Sequence, residues 1–379
     1  MRYGAKPGPG REWTVTVEKN DEPRVTLESV AQEAAVSLST VSKVLNGRSD
    51  VAASTRARVE TLLEEYGYRR RNPEGGDRAL IEVVFHELES AWSMEIIRGV
   101  GNVARERGMG VVLTESGSRH APGPEWIAGV IRRRPAGVVL VFSDLAPEHK
   151  EQLRSRAIPF AIIDPAGDPS PGVPSVGSAN WSGGLAATRH LIELGHTRIA
   201  AITGPLDMMC SLARIDGYRS AMNSAGLEVD PNQVRFGDFH VDGGRAHAAD
   251  LLDGPNPPTA IFAGSDLQAL GVLDAARTRG ISVPAQLSVV GYDDVPVAQW
   301  SSPRLTTIHQ PLREMAEEAT RLVLRLRDGQ DVGHTRMDLA TTLVVRESTA
   351  PPAAAPPAAA SRADASRSAA PPATPAQIE

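Results

Sequence analysis

The chain reads as two folded parts. A small all-α head follows the helix-turn-helix plan, and a larger α/β domain of parallel sheets, with helices on both faces, divides into two lobes. Three observations predict this. Residues 25–71 show only helical apolar spacing, with one tight turn. Residues 80–349 alternate short Val- and Ile-rich runs with amphipathic stretches, the rhythm of βαβ units. At about 270 residues that region is large for one core, so it should split. Between the parts, Asn72-Pro73-Glu74-Gly75-Gly76-Asp77 reads as a linker, placed at 72–79.

In the head, Thr26 can cap a helix from Leu27 to Ala34 with Leu27, Val30, Ala31 and Ala34 on one face. After a turn at Ala35-Val36-Ser37, Ser37 can cap a second helix running to Asn46, and Gly47 ends it. Val41, Val44 and Leu45 face inward there. A third helix spans Ala53 to Tyr66, with Val59, Leu62, Leu63 and Tyr66 inward. In this plan the second helix enters the major groove. With Val41 inward, Leu38, Ser39, Ser42 and Lys43 are left outward. Small hydroxyls, one apolar side chain and one cation suit groove contact. On spacing alone, the polar face of an ordinary three-helix domain fits as well.

In the α/β part, strands are expected at Leu80–Phe85, Gly110–Leu113, Gly137–Phe142, Pro159–Ile163, Arg198–Thr203, Thr259–Ala263 and Leu287–Gly291. Helices are expected at Met94–Arg107, Gly183–Leu194, Leu212–Ala225, Leu267–Arg279 and Leu312–Arg327. Ligands of such folds bind outside the carboxyl ends of the strands. There the sequence places Glu87, Glu89 and Trp92 after the first strand, Asp164 at the end of another, and Asn180-Trp181 at a helix start. Carboxylates, amides and aromatic faces are what a saccharide requires. Aromatic residues make up only 4% of the chain, so Trp92, Trp181 and Trp300 in loops or helix starts carry weight, although each could instead plug a lobe interface. His86 and His240 read as polar lining rather than metal ligands.

Composition narrows the function. The 379 residues carry net charge −6, but unevenly: residues 1–24 and 25–72 are each net +1, residues 73–349 net −8, and 350–379 neutral. A slightly basic head on an acidic body permits nucleic-acid contact. One cysteine, Cys210, excludes a disulfide framework. No run approaches a membrane span and no secretory signal is visible, so a cytoplasmic chain is expected. Ala and Pro fill 20 of the last 30 positions, and residues 350–379, like 1–24, read as disordered. Enzyme motifs fail on context. Gly99-x-Gly101-x-x-Ala104 matches a dinucleotide fingerprint but lies inside a helix. Glu87 and Glu89, two apart on a loop, point away from one another, against a glycosidase pair. No cofactor is expected.

The run from Val25 to Gly47, VTLESVAQEAAVSLSTVSKVLNG, resembles the head of the LacI family of bacterial transcription regulators. Val51, Thr55-Arg56, Val59 and Gly67-Tyr68 continue the match. So do Leu194-Gly195-His196, Arg214-x-x-Gly217-Tyr218, Asp266-x-x-Ala269-x-Gly271, Val289-Val290-Gly291-Tyr292-Asp293-Asp294 and Leu305-Thr306-Thr307-Ile308-x-Gln310. The resemblance covers roughly residues 25–347. It implies a homodimer reading a near-palindromic operator, with a periplasmic-binding-protein-like domain as sensor of a small effector. It assigns DNA contact to Leu27, Ser37, Leu38, Ser39, Thr40, Ser42, Lys43, Asn46 and Thr55; the basic cluster Arg69, Arg70 and Arg71 is expected on phosphate from its charge. It adds Arg214, Phe239, Ser265, Asp266, Asp293 and Gln310 to the effector pocket. The first lobe should take residues 80–179 and 309–338, the second 180–308 and 339–349.

Two departures stand out. Ala35 occupies a turn position where the family usually has Gly, at a cost of about 1 kcal/mol if the backbone is left-handed. The linker is short and contains Gly-Gly, which disfavours helix by about 2 kcal/mol. The hinge helix and leucine wedge of the family are therefore expected to be missing. The sum of these features points to a regulator, read as a repressor, controlled by a sugar. A nucleobase sensor and, more remotely, a transport solute-binding protein are the competing readings.

Overall fold

The computed structural model describes residues 27–45, 51–65, 80–88, 90–117, 122–141, 145–165, 173–333 and 336–353. Asn46, Glu89, Arg69, Arg70, Arg71, the linker and the chain beyond 353 lie outside the described residues. The chain forms two compact units, Met1–Gly75 and Gly76–Glu379.

The head consists of α1 (Leu27–Glu33), α2 (Leu38–Leu45) and α3 (Ala53–Glu65). Their apolar faces meet in a small core of Val30, Ala31, Ala34, Val41, Val44, Val59 and Leu63. The turn between α1 and α2 is tight because Ala35 adopts φ 50°, the left-handed region. The Ser37 hydroxyl accepts from Thr40 N at 3.2 Å and caps α2.

The second unit begins with β1 (Leu80–Phe85), α4 (Ala91–Glu106), β2 (Gly110–Glu115), α5 (Pro124–Arg133), β3 (Gly137–Val141), α6 (Pro147–Arg154), β4 (Phe160–Ile163) and β5 (Ser175–Ser178). The chain then crosses into α7 (Asn180–Glu193), β6 (Ile199–Thr203), α8 (Met209–Ser224), β7 (Val234–Phe236), α9 (Val241–Leu252), β8 (Ala260–Ala263), α10 (Asp266–Thr278), β9 (Ser288–Asp293), α11 (Val297–Trp300) and β10 (Thr306–His309). It returns with α12 (Leu312–Arg327) and β11 (Arg336–Leu339), and crosses a last time into β12 (Thr342–Val344).

Two six-stranded sheets result, ordered β11-β5-β4-β3-β1-β2 and β12-β10-β9-β8-β6-β7. Pairing is parallel except between β12 and β10. Each sheet is sandwiched between apolar clusters, as parallel sheets require. The one charge in β1, Glu82, is fully buried. It is satisfied by Arg133 Nη2 at 2.6 Å, Arg133 Nε at 3.0 Å and the Thr114 hydroxyl at 2.9 Å. Gly99 is a packing residue: a Cβ there would sit 2.4 Å from the Arg313 carbonyl of α12. That contact accounts for the first glycine of the dinucleotide-like pattern; Gly101 meets no such contact.

Several expected boundaries shift. α7 and α8 each begin three residues before the expected Gly183 and Leu212, and β9 runs to Asp293 rather than Gly291. These extra residues are polar or lie in helix first turns, where apolar spacing gives little signal. The expected tail at 350 also starts too early. Ala350 O lies 2.9 Å from His196 Nε2 and Ala350 N donates to Ser288 Oγ at 3.0 Å, so this end of the chain is tied to the second lobe. His196, buried, also meets Thr259 Oγ1 at 2.9 Å.

Candidate functional site

On α2 of the head, Leu38 is 45% exposed, and Ser39, Ser42 and Lys43 are exposed beside it. Thr40 and Thr55 are half-buried. Two predicted DNA contacts have structural duties. Ser37 Oγ shares hydrogen bonds with Ser39 Oγ at 2.7 Å and Thr40 Oγ1 at 2.8 Å, and Leu27 packs against the head core.

In the second unit the carboxyl ends of strands from both sheets face a cleft of about 390 Å³. The end of β1 brings Phe85, the loop after it His86 and Glu87, and the start of α4 Ser90, Trp92 and Ser93. From the other lobe come Met208 and Arg214 around α8, Asp238, Phe239 and His240 after β7, Ser265 and Leu267 at α10, Asp293 at the end of β9 and Val295 just beyond it.

Arg214 is the hub. It is almost wholly buried, with Nε donating to Asn180 Oδ1 at 2.8 Å, Nη1 to Gly264 O at 2.6 Å and Nη2 to Gln310 Oε1 at 3.0 Å. Its guanidinium lies 3.8 Å from the centroid of the Tyr292 ring and 5.4 Å from that of Phe239. Asp293 Oδ1 is 4.0 Å from Nη1. The motif Arg214-x-x-Gly217-Tyr218 is thereby explained. A Cβ on Gly217 would lie 2.2 Å from Trp181 O, and one on Gly184 2.1 Å from Arg214 O. This close crossing of α7 and α8 brings Arg214 beside Asn180. The Tyr218 hydroxyl donates to Ile199 O at 2.8 Å, fixing α8 to β6.

The electrostatics follow from burial. Asp293 is pushed up to about 7 by desolvation, against the opposing pull of Arg214 and with a further push from Asp164. Asp164 rises to about 6, also through desolvation opposed by Arg214. The backbone is left-handed at Asp164 (φ 44°), Phe239 (φ 69°), Asp293 (φ 106°) and Asp294 (φ 59°). Such geometry in side chains with a Cβ costs of order 1–3 kcal/mol each and concentrates at binding sites.

Of the predicted effector residues, Glu87, Trp92, Arg214, Phe239, Ser265 and Asp293 line this cleft. Asp164, Asn180 and Trp181 do not; they line a separate recess of about 200 Å³ with Cys210, Arg336 and Asp338. The two recesses share the polar layer Asn180–Arg214–Gln310–Asp164, closed by Gln310 Nε2 donating to Asp164 Oδ2 at 3.3 Å. Gln310 is buried within that layer. Asp266 is fully buried and structural: its carboxylate accepts from Val295 N at 2.9 Å and Thr307 Oγ1 at 2.6 Å, holding the loop that carries Asp293. Desolvation, reinforced by Asp293, raises its pKa well above the usual carboxylate range. Trp300, 77% exposed, takes no part in the cleft.

Sequence reasoning missed Ser90, Ser93, Met208, Asp238, Leu267 and Val295. Asp238 was hidden because β7, only three residues long, was not recognised as a strand with an end. Ser90 carried a readable signal as the cap of α4, accepting from Ser93 N at 3.1 Å.

A helix-turn-helix head followed by a two-lobed clefted domain defines the class of DNA-binding transcription regulators with an effector-binding domain. Residues 26–71 match the family model for bacterial regulatory proteins, lacI family, and residues 188–349 that for a periplasmic binding protein-like domain. The chain is 37% identical over 340 residues to the HTH-type transcriptional regulator CelR of Thermobifida fusca, covering 86% of this chain and 98% of CelR. Among solved structures it is similar to the transcriptional regulator CelR–cellobiose complex, with TM-score 0.66, 36% identity and coverage of 86% and 100%. It is also similar to the lac repressor dimer bound to operator and the anti-inducer ONPF, with TM-score 0.62, 28% identity and coverage of 86% and 99%. The chain belongs to the LacI family of bacterial regulatory proteins. Among the described residues no helix is long and apolar enough to cross a membrane.

Proposed function

We propose that the protein is a saccharide-responsive repressor. A homodimer holds a near-palindromic operator with α2 of each head in the major groove, using Leu38, Ser39, Ser42 and Lys43. A small saccharide binds in the cleft of the second unit. The observation that carries this reading is the cleft itself: about 390 Å³, within the small-ligand range, lined by Arg214, Asp293, Trp92 and Phe239, with the Arg214 guanidinium over the Phe239 ring. A guanidinium and a carboxylate engage paired hydroxyls, and aromatic faces take sugar C–H groups. The similar CelR structure holds cellobiose.

The coupling needs a ligand that prefers one pose of the two lobes over another. Half-sites have a fixed separation, so a change in lobe pose alters how well two heads fit them. Fluorescence anisotropy of a labelled operator, with a panel of mono- and disaccharides, tests the proposal. At least one saccharide should change operator affinity fivefold or more, the lower range of allosteric couplings. A response to a purine with none to any saccharide would overturn it.

A further inference from the structure

The charges of the cleft bear on which saccharides can enter, an inference that rests on the saccharide reading above. Its wall carries three carboxylates, Glu87, Asp238 and Asp293, and one guanidinium, Arg214. Arg214 already donates to Asn180, Gly264 and Gln310. Helix N-termini facing the cleft would attract an anion. In two of them a leading amide is already capped by the protein, Ser93 N by Ser90 Oγ at 3.1 Å in α4 and Gln268 N by Ser265 Oγ at 3.0 Å in α10, while the carboxylate of Asp238, accepting from His240 N at 2.9 Å, stands just before the third, α9.

Glu87 differs from the other two carboxylates in being held by both lobes. Its Oε1 lies 3.0 Å from Nε2 of His240 and 3.3 Å from Nε2 of His86. Glu87 stands on the loop after β1 and His240 at the start of α9, so this pair bridges the lobes at the cleft wall. The two imidazoles that could receive an anionic ligand are thus directed at a carboxylate of the protein. We propose that Glu87, positioned by His86 and His240, is the charge selector of the cleft, admitting uncharged saccharides and rejecting those that carry phosphate or carboxylate.

A sphere of 390 Å³ has a radius of about 4.5 Å. A charged substituent inside it therefore lies roughly 6 Å from the Glu87 carboxylate. At that range, between the limits of bulk water and protein surface, repulsion amounts to about tenfold in affinity per unit charge, or about a hundredfold for a phosphate dianion.

The test is calorimetric titration of the full-length protein at pH 7.5 with matched pairs, cellobiose against its 6-phosphate and glucose against glucose 6-phosphate. Wild type should bind the neutral member about a hundredfold more tightly or better. Glu87→Gln keeps the shape and the hydrogen-bonding capacity, and should bring the ratio to within about tenfold. Equal weakening of both members by E87Q would make Glu87 a purely structural tie and overturn the proposal. So would a wild-type preference for the phosphate ester. Binding of the esters alone would sink this inference and leave the saccharide reading standing; binding of no member of either pair, with an operator response to a purine, would overturn both.

Discussion

Replacing Arg214 by Met keeps most of the side-chain volume while removing the charge and every donor. Three acceptors lose their partner: Asn180 Oδ1, Gly264 O and Gln310 Oε1. At about 1 kcal/mol each, plus the loss of the cation beside buried Asp293 and Asp164, the deficit should reach about 4 kcal/mol near neutral pH. For a unit of this size that is roughly 8–16 °C in Tm. The pH dependence makes the reasoning specific. Burial raises Asp293 to about 7 and Asp164 to about 6, while Arg214 opposes both rises. A carboxylate whose folded pKa is raised holds its proton more tightly when folded. Its unfavourable contribution is therefore absent below pH 4 and grows as pH climbs through 6 and 7. Without Arg214 both pKa values go higher still, so the deficit must widen with pH. Each unit of combined rise adds about 1.4 kcal/mol, or roughly 3–5 °C. Thermal unfolding of wild type and R214M, followed by tryptophan fluorescence at pH 5.5 and pH 8, measures it. Equal deficits at the two pH values, or a variant as stable as wild type, would refute the assignment of Arg214 as the cation that makes these buried carboxylates tolerable.

Two further outcomes are expected. Gly217→Ala forces a Cβ to within 2.2 Å of Trp181 O and 2.6 Å of Leu185 N, so α7 and α8 must part. The variant should lose about 2–3 kcal/mol by urea denaturation and bind effector more weakly because Arg214 moves. Retention of both would mean that the helices have slack. Lys43→Ala should weaken operator binding and flatten the slope of log affinity against log salt by about one. An unchanged slope would remove Lys43 from the phosphate contacts.

The fold was legible wherever residues form long buried runs. β1, β3, β4, β6, β8 and β9 are Val-, Ile- and Ala-rich, and each declares itself without tertiary knowledge. α6, reading PEHKEQLR, hides because its buried face uses His149 and Lys150 beside Leu153. The edge strands β7 and β11 are short and largely solvent-facing, so alternation never develops. The head was readable because seven small apolar residues at helical spacing form its core, and the left-handed backbone at Ala35 sits where the family usually places Gly. For the site, Arg214 and Asp293 were accessible through motif resemblance. Asp164, Asn180 and Trp181, expected in the effector pocket, line the smaller recess. Strand-end logic places them near the lobe junction but does not say on which side of the Arg214 layer they open. Asp266 was misread for a similar reason: an acidic residue at a helix start beside a cleft looks like a ligand contact until its two hydrogen bonds are seen.

On the function proposed here, one ligand in the cleft controls the operator. Linkage makes that testable without locating the ligand: a saccharide that changes operator affinity by some factor must have its own affinity changed by the same factor when operator is bound. Titration of whichever saccharide the operator panel identifies, with and without saturating operator, set beside operator titrations with and without that saccharide, measures both factors. The two factors should agree, and both should vanish together in R214M. Operator affinity that responds to that saccharide, with the saccharide binding R214M as it binds wild type, would contradict control from the cleft.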